Sequence, residues 1–470
     1  MPTSRFNPEL AAERHNKILE LGWIGSGREL NSLPSTTWWE HFSPISFDLA
    51  CRLKPKLIRF LRSAKVGIYD DQKFHLFFHV RGLFHKDWLF LSEDGWMCDL
   101  PRDRYISLYY SSGSHSDEEV GIVFDQETEL VSFIPLWDYL YTSTKGDWPW
   151  IPLQDIFQAY LDMIQDKKVT TYSDIDGETT RWLCQKFPWE IHQHTSIDVE
   201  RAISAFTRLL DAIECRLPQK SQRAPSSQLR ENSEQHTEAQ SDQQIYFPYT
   251  DSVLDNSFVR DNSFARAFLS TLPARHVSFR CIAPGIQIQS PTEFMSQPFA
   301  DRRDNYDRQF YRRDENPPSI PLLLLRGKGE NKSPWVRPWF PDGIVEDISS
   351  GLYIEPPEDW RPEDSGNETR LLLPFAIGKN KFARSSEGRF IGRWGSGNDT
   401  DGLYRVSFAS GIMPLDSFSS HIHRVLLNWA ERVKNGDWEV NEDGVAAGIE
   451  KFKDADTQEH WKKYHIPWPA

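Results

Sequence analysis

The stretch from Pro218 to Gln244 reads PQKSQRAPSSQLRENSEQHTEAQSDQQ and decides how the chain is divided. Leu229 is its one large apolar residue, and most of the others are Gln, Ser, Glu and Arg. Such a segment cannot bury enough apolar surface to offset the entropy that it would lose on ordering. The sequence therefore predicts a disordered linker at 218–244, between an N-terminal lobe at 1–217 and a C-terminal lobe at 245–470.

The two flanking regions have the composition of folded domains. The chain has 470 residues, which is too long for one hydrophobic core and suits two to three domains. Hydrophobic residues make up 39% and aromatic residues 13% of the chain. Large rings must therefore supply much of the buried surface, since each covers on the order of 150 to 250 Å².

Strand-like runs and helical stretches are set apart from each other in both lobes. The first lobe has KFHLFFHV at 73–80 and YISLYYSS at 105–112, followed by the helically spaced PLQDIFQAYLDMIQDKKV at 152–169. The second lobe has TRLLLPFAI at 369–377 and then a helical pattern at 416–433. This order predicts an α+β fold in which each lobe is a mostly antiparallel sheet with segregated helices.

Charge and hydropathy restrict the partners and the location of the chain. The 54 basic and 68 acidic side chains give a net charge of −14, which argues against a polyanion wrapped over the whole surface but permits a local basic groove. No apolar run approaches the roughly 18 to 20 residues that span a bilayer, and the N-terminus lacks a signal-peptide pattern. We expect a cytoplasmic protein with no membrane or DNA partner. The five cysteines are scattered without metal-ligand spacing, so we predict neither a metal nor a cofactor.

An arginine-rich stretch at 300–318, ADRRDNYDRQFYRRDENPP, is the first candidate binding element. It interleaves Tyr and Phe rings with five arginines: Arg302, Arg303, Arg308, Arg312 and Arg313. Guanidinium groups contact phosphates and rings stack on unpaired bases, so this mixture is typical of a nucleic-acid contact. The aspartates within the stretch can instead pair with the arginines on a solvated face, and both interpretations stay open.

The tail GIEKFKDADTQEHWKKYHIPWPA at 448–470 is the most specific feature of the sequence. A helix here would place Asp456 and Glu459 three residues apart on one face, with His460 four residues from Asp456. Such a carboxylate pair can accept a guanidinium or take a proton from an attacking amine. The alternative is a solvent-facing acidic helix that Trp461 and Tyr464 dock onto the lobe.

Together with NGDWEVNEDGVAAGIEKF at 435–452, RCIAPGIQIQ at 280–289 and QPF at 297–299, this tail resembles the fungal arginine-containing cyclodipeptide synthases. The resemblance implies an enzyme that takes arginine and a second amino acid from aminoacyl-tRNAs and closes them into a diketopiperazine. It also implies a motif of two aspartates, two variable residues and a glutamate. The matching stretch is Ala455-Asp456-Thr457-Gln458-Glu459, in which Ala455 stands where the first aspartate is expected.

The resemblance implies roles for particular residues. Asp456 and Glu459 would be catalytic, one as the general base and the other as the guanidinium ligand, while Asp454, His460 and Trp461 would bind the substrate. The arginines at 302–313 would hold the acceptor end of a transfer RNA. A competing interpretation is a non-catalytic interaction or regulatory protein, because the acidity, the 18 tryptophans and the linker also suit modules of the SMI1/KNR4 type.

Overall fold

A computed structural model confirms the α+β fold, with antiparallel-dominated sheets and separate helices. It describes residues 6–45, 47–67, 74–77, 80–90, 101, 103–111, 119–136, 150–173, 187–192, 194–218, 245–298, 321–331, 348–354, 369–384, 390–391, 400–404 and 422–466. These residues form two compact units that divide after His192. Apart from Pro218, the predicted linker lies outside the described residues.

Unit 1 combines an antiparallel sheet with helices. Its helices are α1 (Pro8–Gly25), α2 (Trp38–His41), α3 (Phe47–Arg52), α4 (Pro55–Leu61) and α5 (Leu153–Gln165). Its four-stranded sheet has the order β1 (Val80–Leu83), β2 (Tyr105–Ser111), β3 (Glu119–Asp125) and β4 (Leu130–Leu136). A separate antiparallel pair joins β5 (Val169–Thr171) to β6 (Trp189–Ile191).

Helix α1 begins where local sequence dictates. The Asn7 side chain accepts a hydrogen bond from the backbone N–H of Leu10 at 3.1 Å, and Pro8 occupies the first helical turn. The helix buries apolar side chains at helical spacing, among them Ala11, Ile18 and Trp23. It packs on both α4 and α5, so it links the two helices that flank it.

His15 forms a buried polar connection within unit 1. Its Nε2 lies 2.8 Å from the carbonyl oxygen of Lys65 and its Nδ1 lies 2.9 Å from the hydroxyl of Tyr109 on β2. A carbonyl only accepts, so Nε2 carries the proton and the Tyr109 hydroxyl donates to Nδ1. Burial lowers the pKa of His15 from 6.5 to about 4, because a charged imidazolium would be desolvated there.

Unit 2 contains the larger sheet. Its helices are α6 (Ser196–Glu214), α7 (Asp251–Asn256), α8 (Phe264–Thr271), α9 (Pro291–Met295), α10 (Ile422–Lys434) and α11 (Trp461–Tyr464). A small sheet pairs β7 (Ile245–Phe247) with β8 (Arg275–Val277). The strands of the large sheet are, in chain order, β9 (Cys281–Ala283), β10 (Ile286–Gln287), β11 (Leu322–Asn331), β12 (Ile348–Ile354), β13 (Thr369–Ile377), β14 (Thr400–Leu403), β15 (Val440–Asn441) and β16 (Gly444–Val445).

The eight-stranded sheet has the spatial order β14-β13-β12-β11-β10-β9-β16-β15. Its pairs are antiparallel except β9 with β16, where Gly444 lies opposite Cys281. Gly444 has a φ of 99°, and a Cβ there would lie 2.1 Å from the Cys281 carbonyl oxygen. Only glycine fits this approach. The contact brings the C-terminal segment onto the sheet.

Helix α6 belongs to unit 2, which differs from the predicted boundary between 217 and 218. It packs along α10 with buried side chains such as Leu209 and Ile213. Arg216, just after the helix, donates to the Trp438 carbonyl oxygen at 3.0 Å. The apolar face of α6 thus completes the second core, which local sequence patterns did not indicate. No helix in the described part of the chain is long and apolar enough to cross a membrane.

The burial of His15 predicts a pH-dependent stability. Between pH 6.5 and 4 the unfolded chain takes up a proton that the folded site rejects, so the free energy of unfolding falls as the pH falls. By pH 4.5 the loss amounts to about 2.5 kcal/mol. We expect His15→Gln, which does not titrate, to shrink the difference between the unfolding free energies at pH 7 and pH 4.5 by about this amount.

Urea unfolding at the two pH values measures this difference. His41→Gln is the matched control, because His41 is exposed in the same unit. An equal pH dependence in His15→Gln and the unsubstituted protein would contradict the assignment.

Candidate functional site

The carboxylate of Asp456 is held by four backbone N–H groups. One oxygen accepts from Gly378 at 3.1 Å and from Asn380 at 2.7 Å, and the other accepts from Phe382 at 2.9 Å and from Ala383 at 3.1 Å. Asp456 is 5% exposed. We call these four N–H groups the Asp456 cradle. A carboxylate offers about four acceptor positions, so the cradle uses all of them.

The cradle forms because the chain turns sharply after β13. Gly378 has a φ of 101° and Lys381 a φ of 64°, both in the left-handed region. Alternation of left-handed and ordinary backbone makes successive N–H groups converge on one point, which is a common anion-binding arrangement. The amide side chain of Asn380 adds a hydrogen bond to the backbone oxygen of Asp456 at 3.1 Å. The turn and the tail are therefore joined by five hydrogen bonds to one residue.

The predicted helix that would place Asp456 and Glu459 on one face is wrong. A 3₁₀ helix runs from Ile449 to Asp456 and ends there, because Thr457 is extended with a φ of −123°. Helix α11 starts only at Trp461. Asp456 consequently lies inside the fold, whereas the side chain of Glu459 is 83% exposed. The two carboxylates do not form the predicted pair.

The two residues before Asp456 make contacts that stabilise the fold. Ala455, at the position where the resemblance implies an aspartate, is 1% exposed and packs in the core. Asp454, predicted to bind substrate, forms an ion pair with Lys451 at 2.7 Å. Its backbone oxygen accepts from the Thr457 hydroxyl at 2.8 Å. The acidic residues of the 3₁₀ helix thus hold the tail together.

Aromatic rings in the core of unit 2 hold the tail in place. Phe452 is fully buried and lies against Trp429, Trp438 and Tyr464 at centroid distances of 6.3, 6.0 and 6.1 Å. The Tyr464 hydroxyl donates to the backbone oxygen of Lys451 at 3.2 Å. Burial raises the pKa of this hydroxyl to about 12. The predicted docking of the tail by Tyr464 agrees with these contacts.

Glu459, His460 and Trp461 follow this fixed part and reach the surface. A Glu459 carboxylate oxygen lies 3.7 Å from His460 Nε2. His460 and Trp461 are half-buried, and the backbone N–H of His460 donates to the Thr457 hydroxyl at 3.3 Å. A carboxylate and an imidazole are therefore next to an indole ring on one short segment. These groups can carry a proton or contact a polar substrate.

Arg384 completes this surface and was not predicted from the sequence. Its guanidinium carbon lies 3.6 Å from the ring centroid of Phe390 and 5.3 Å from that of Trp461. Burial lowers the pKa of Arg384. Arg384 directly follows the Asp456 cradle in sequence, so the cradle brings it to Trp461. The one sequence signal is the Gly-Lys-Asn turn at 378–380, which does not reveal its distant partner.

The other sequence predictions concern RNA-binding arginines and metal ligands. The predicted RNA-binding residues Arg302, Arg303, Arg308, Arg312 and Arg313 lie outside the described residues. No group of three or more His, Cys, Asp or Glu side chains able to hold a metal ion occurs in the described ranges. An apolar cavity of about 10 Å³ lies among Phe206, Phe268 and Leu426. It has room for no more than about one water molecule, so it does not hold a substrate.

The Asp456 cradle predicts a large effect of a small substitution. In Asp456→Asn an NH₂ group replaces one acceptor oxygen and faces two backbone donors, so buried N–H groups lose their partner. We expect the free energy of unfolding to fall by about 3 kcal/mol. Chemical denaturation of the variant and of the unsubstituted protein measures this change in the free energy of unfolding.

Asp454→Asn is the matched control on the same 3₁₀ helix. Its ion pair with Lys451 is partly exposed, and its loss is expected to cost under about 1 kcal/mol. Equal destabilisation by the two substitutions would refute a special role of the cradle.

Comparison with known proteins does not identify the chain. No family model, no curated protein and no solved structure matches it. The functional interpretation therefore depends on the tail, its cradle and the residues that they bring together.

Proposed function

We propose that the chain is a tRNA-dependent cyclodipeptide synthase that condenses arginine with a second amino acid into a diketopiperazine. The resemblance of the tail supports this activity. The single structural observation in its favour is the exposed Glu459 carboxylate beside His460, on the segment that directly follows the hydrogen-bonded Asp456. A preorganised surface of this kind suits a reaction that mainly needs positioning.

The chemistry requires little besides positioning and a base. The α-amine of one aminoacyl-tRNA attacks the ester carbonyl of the other, forms a peptide bond and releases one tRNA with a free ribose hydroxyl. The free amine of the resulting dipeptidyl-tRNA then attacks the remaining ester, which closes the ring and releases the second tRNA. Each attacking amine loses a proton to a base. The esters are already activated, so neither ATP nor a cofactor is needed.

The structure changes which residues suit these roles. Asp456 uses all its acceptor positions on the cradle, so we assign it to positioning and not to catalysis. Glu459 accepts no hydrogen bond from the described residues, apart from its contact with His460. It is thus available to accept a proton or a guanidinium. His460 is the second proton carrier, and Trp461 contacts the substrate.

Glu459→Gln tests this assignment. The full-length protein is incubated with a pool of aminoacyl-tRNAs that includes radiolabelled arginyl-tRNA, and the diketopiperazine is quantified by chromatography. Loss of a general base should lower the rate of product formation by about 100-fold or more. The free energy of unfolding should change by less than about 0.5 kcal/mol, because the side chain is exposed.

Glu442→Gln removes another exposed carboxylate of unit 2 and should leave the rate unchanged. Absence of product with the folded, unsubstituted protein in every tRNA pool would overturn the synthase proposal.

One observation favours a second candidate, a non-catalytic interaction protein. In unit 1 the side chains of Phe47 and Trp88 are 85% and 62% exposed. Their chain segments are joined by the ring contact of Phe42 with His85, at a centroid distance of 4.8 Å. Large exposed rings on adjoining segments are typical of protein-binding surfaces. This alternative assigns unit 1 to partner binding.

The second candidate requires that these rings do not serve folding. We expect Phe47→Ser with Trp88→Ser to change the free energy of unfolding by less than about 1 kcal/mol in urea titrations. Phe77→Ser, at a buried ring of the same unit, should cost about 3 kcal/mol or more. A large loss in the double variant would show that the exposed rings support the fold and would remove this candidate.

A further inference from the structure

The Asp456 cradle and the segment after Asp456 carry mostly positive charge, although the whole chain is acidic. Residues 378–384 and 457–463, which flank the buried Asp456 contact, contain one carboxylate side chain, that of Glu459. Their cationic side chains are Lys379, Lys381, Arg384, Lys462 and Lys463. The cradle brings these two short segments together, so their charges add locally.

Most of these cations face solvent. Lys379, Lys381 and Lys462 are exposed, and no carboxylate among the described residues lies within ion-pair distance of them. Lys463 differs, because it is paired with Asp437 at 2.5 Å. By contrast, the basic side chains around α4 are largely neutralised, for example Lys65 by Glu20 at 3.2 Å. Unpaired exposed lysines keep their charge available for an anionic partner.

Aromatic rings lie beside two of these cations, Arg384 and Lys462. Trp461 has Arg384 on its ring at 5.3 Å and Lys462 at 5.8 Å, measured to the ring centroid. Arg384 also lies on Phe390 at 3.6 Å. We call Lys379, Lys381, Arg384, Lys462, Trp461 and Phe390 the basic face. Cations interleaved with rings are the combination that binds single-stranded nucleic acid, where phosphates meet the cations and unpaired bases stack on the rings.

We infer that the basic face binds the single-stranded acceptor end of a transfer RNA, with Lys379, Lys381 and Lys462 on its phosphates and Trp461 on a base. This inference rests on the proposed function and assigns its nucleic-acid substrate to described residues of unit 2. A base-paired stem offers no free base face for the indole. The half-buried Trp461 therefore favours an unpaired end over a duplex.

Direct binding tests the inference without any catalytic step. Fluorescence anisotropy follows a labelled single-stranded RNA of about 12 nucleotides, titrated with full-length protein at several salt concentrations. Lys379→Glu, Lys381→Glu and Lys462→Glu together should weaken binding at least about 10-fold at low salt. They should also lower the salt slope by about 2, since each phosphate contact on a single strand contributes about 0.7.

The control must change the net charge equally. Lys17→Glu, Lys167→Glu and Lys434→Glu together do so at exposed lysines outside the basic face, and binding should stay within about twofold. Trp461→Leu should weaken RNA binding about 10-fold, because leucine has no ring on which a base can stack. Trp461→Phe should largely retain binding, because the phenyl ring still stacks on a base. Equal weakening by both lysine triples, or no binding by the unsubstituted protein, would overturn the inference.

Two further outcomes separate this inference from the synthase proposal. Product formation by a lysine triple of the basic face at the normal rate would exclude the face as the tRNA site but leave the activity intact. Specific RNA binding without any product would support the face and refute the synthase. Displacement of the RNA by anionic phospholipid vesicles, with equal affinity for both, would instead indicate a membrane-docking surface and overturn the inference.

Discussion

The hydrogen bonds between the Asp456 carboxylate and the turn after β13 are the interaction on which the candidate site depends. They join residues 73 to 78 positions apart in sequence. A buried carboxylate is costly unless it is fully hydrogen-bonded, and four backbone donors satisfy this one. In return the carboxylate accepts hydrogen bonds from four backbone N–H groups of an irregular turn. The carboxylate and the N–H groups therefore each offset the desolvation penalty of the other.

The surface chemistry follows from this contact. Because Asp456 is fixed, the extended Thr457 directs Glu459 outward and leads the chain into α11. Because the turn is fixed, Arg384 reaches Trp461. The positions of the proposed base and of the basic face thus both depend on the buried Asp456 carboxylate. A substitution at Asp456 should disturb both. An aspartate within a motif that resembles a catalytic one can therefore act by positioning other residues.

The sequence predicted the fold class but only part of the site. Runs such as 369–377 carry enough apolar and β-branched character to indicate strands, and β13 occupies that range. Helix α6 precedes the predicted linker and packs on the core of unit 2, and its amphipathic pattern does not tell which core it covers. In the tail, the spacing of Asp456 and Glu459 was interpreted as helical. Ala455 and Asp456 are both buried, however, and the 3₁₀ helix ends between the two acids. The cradle consists of backbone N–H groups, and the Gly-Lys-Asn run at 378–380 indicates a turn without naming its distant partner. Neither the cradle nor the place of Arg384 was therefore predictable.

Amide hydrogen exchange across residues 378–383 tests the role of Asp456 most directly. Lys379, Asn380 and Lys381 are exposed, so their turn should exchange quickly unless the carboxylate protects it. Slow exchange at Gly378, Asn380, Phe382 and Ala383 is predicted for the unsubstituted protein, with selective loss of protection in Asp456→Asn while β12 and β13 stay protected. Unchanged protection of these four amides in the variant would contradict the central role of the carboxylate.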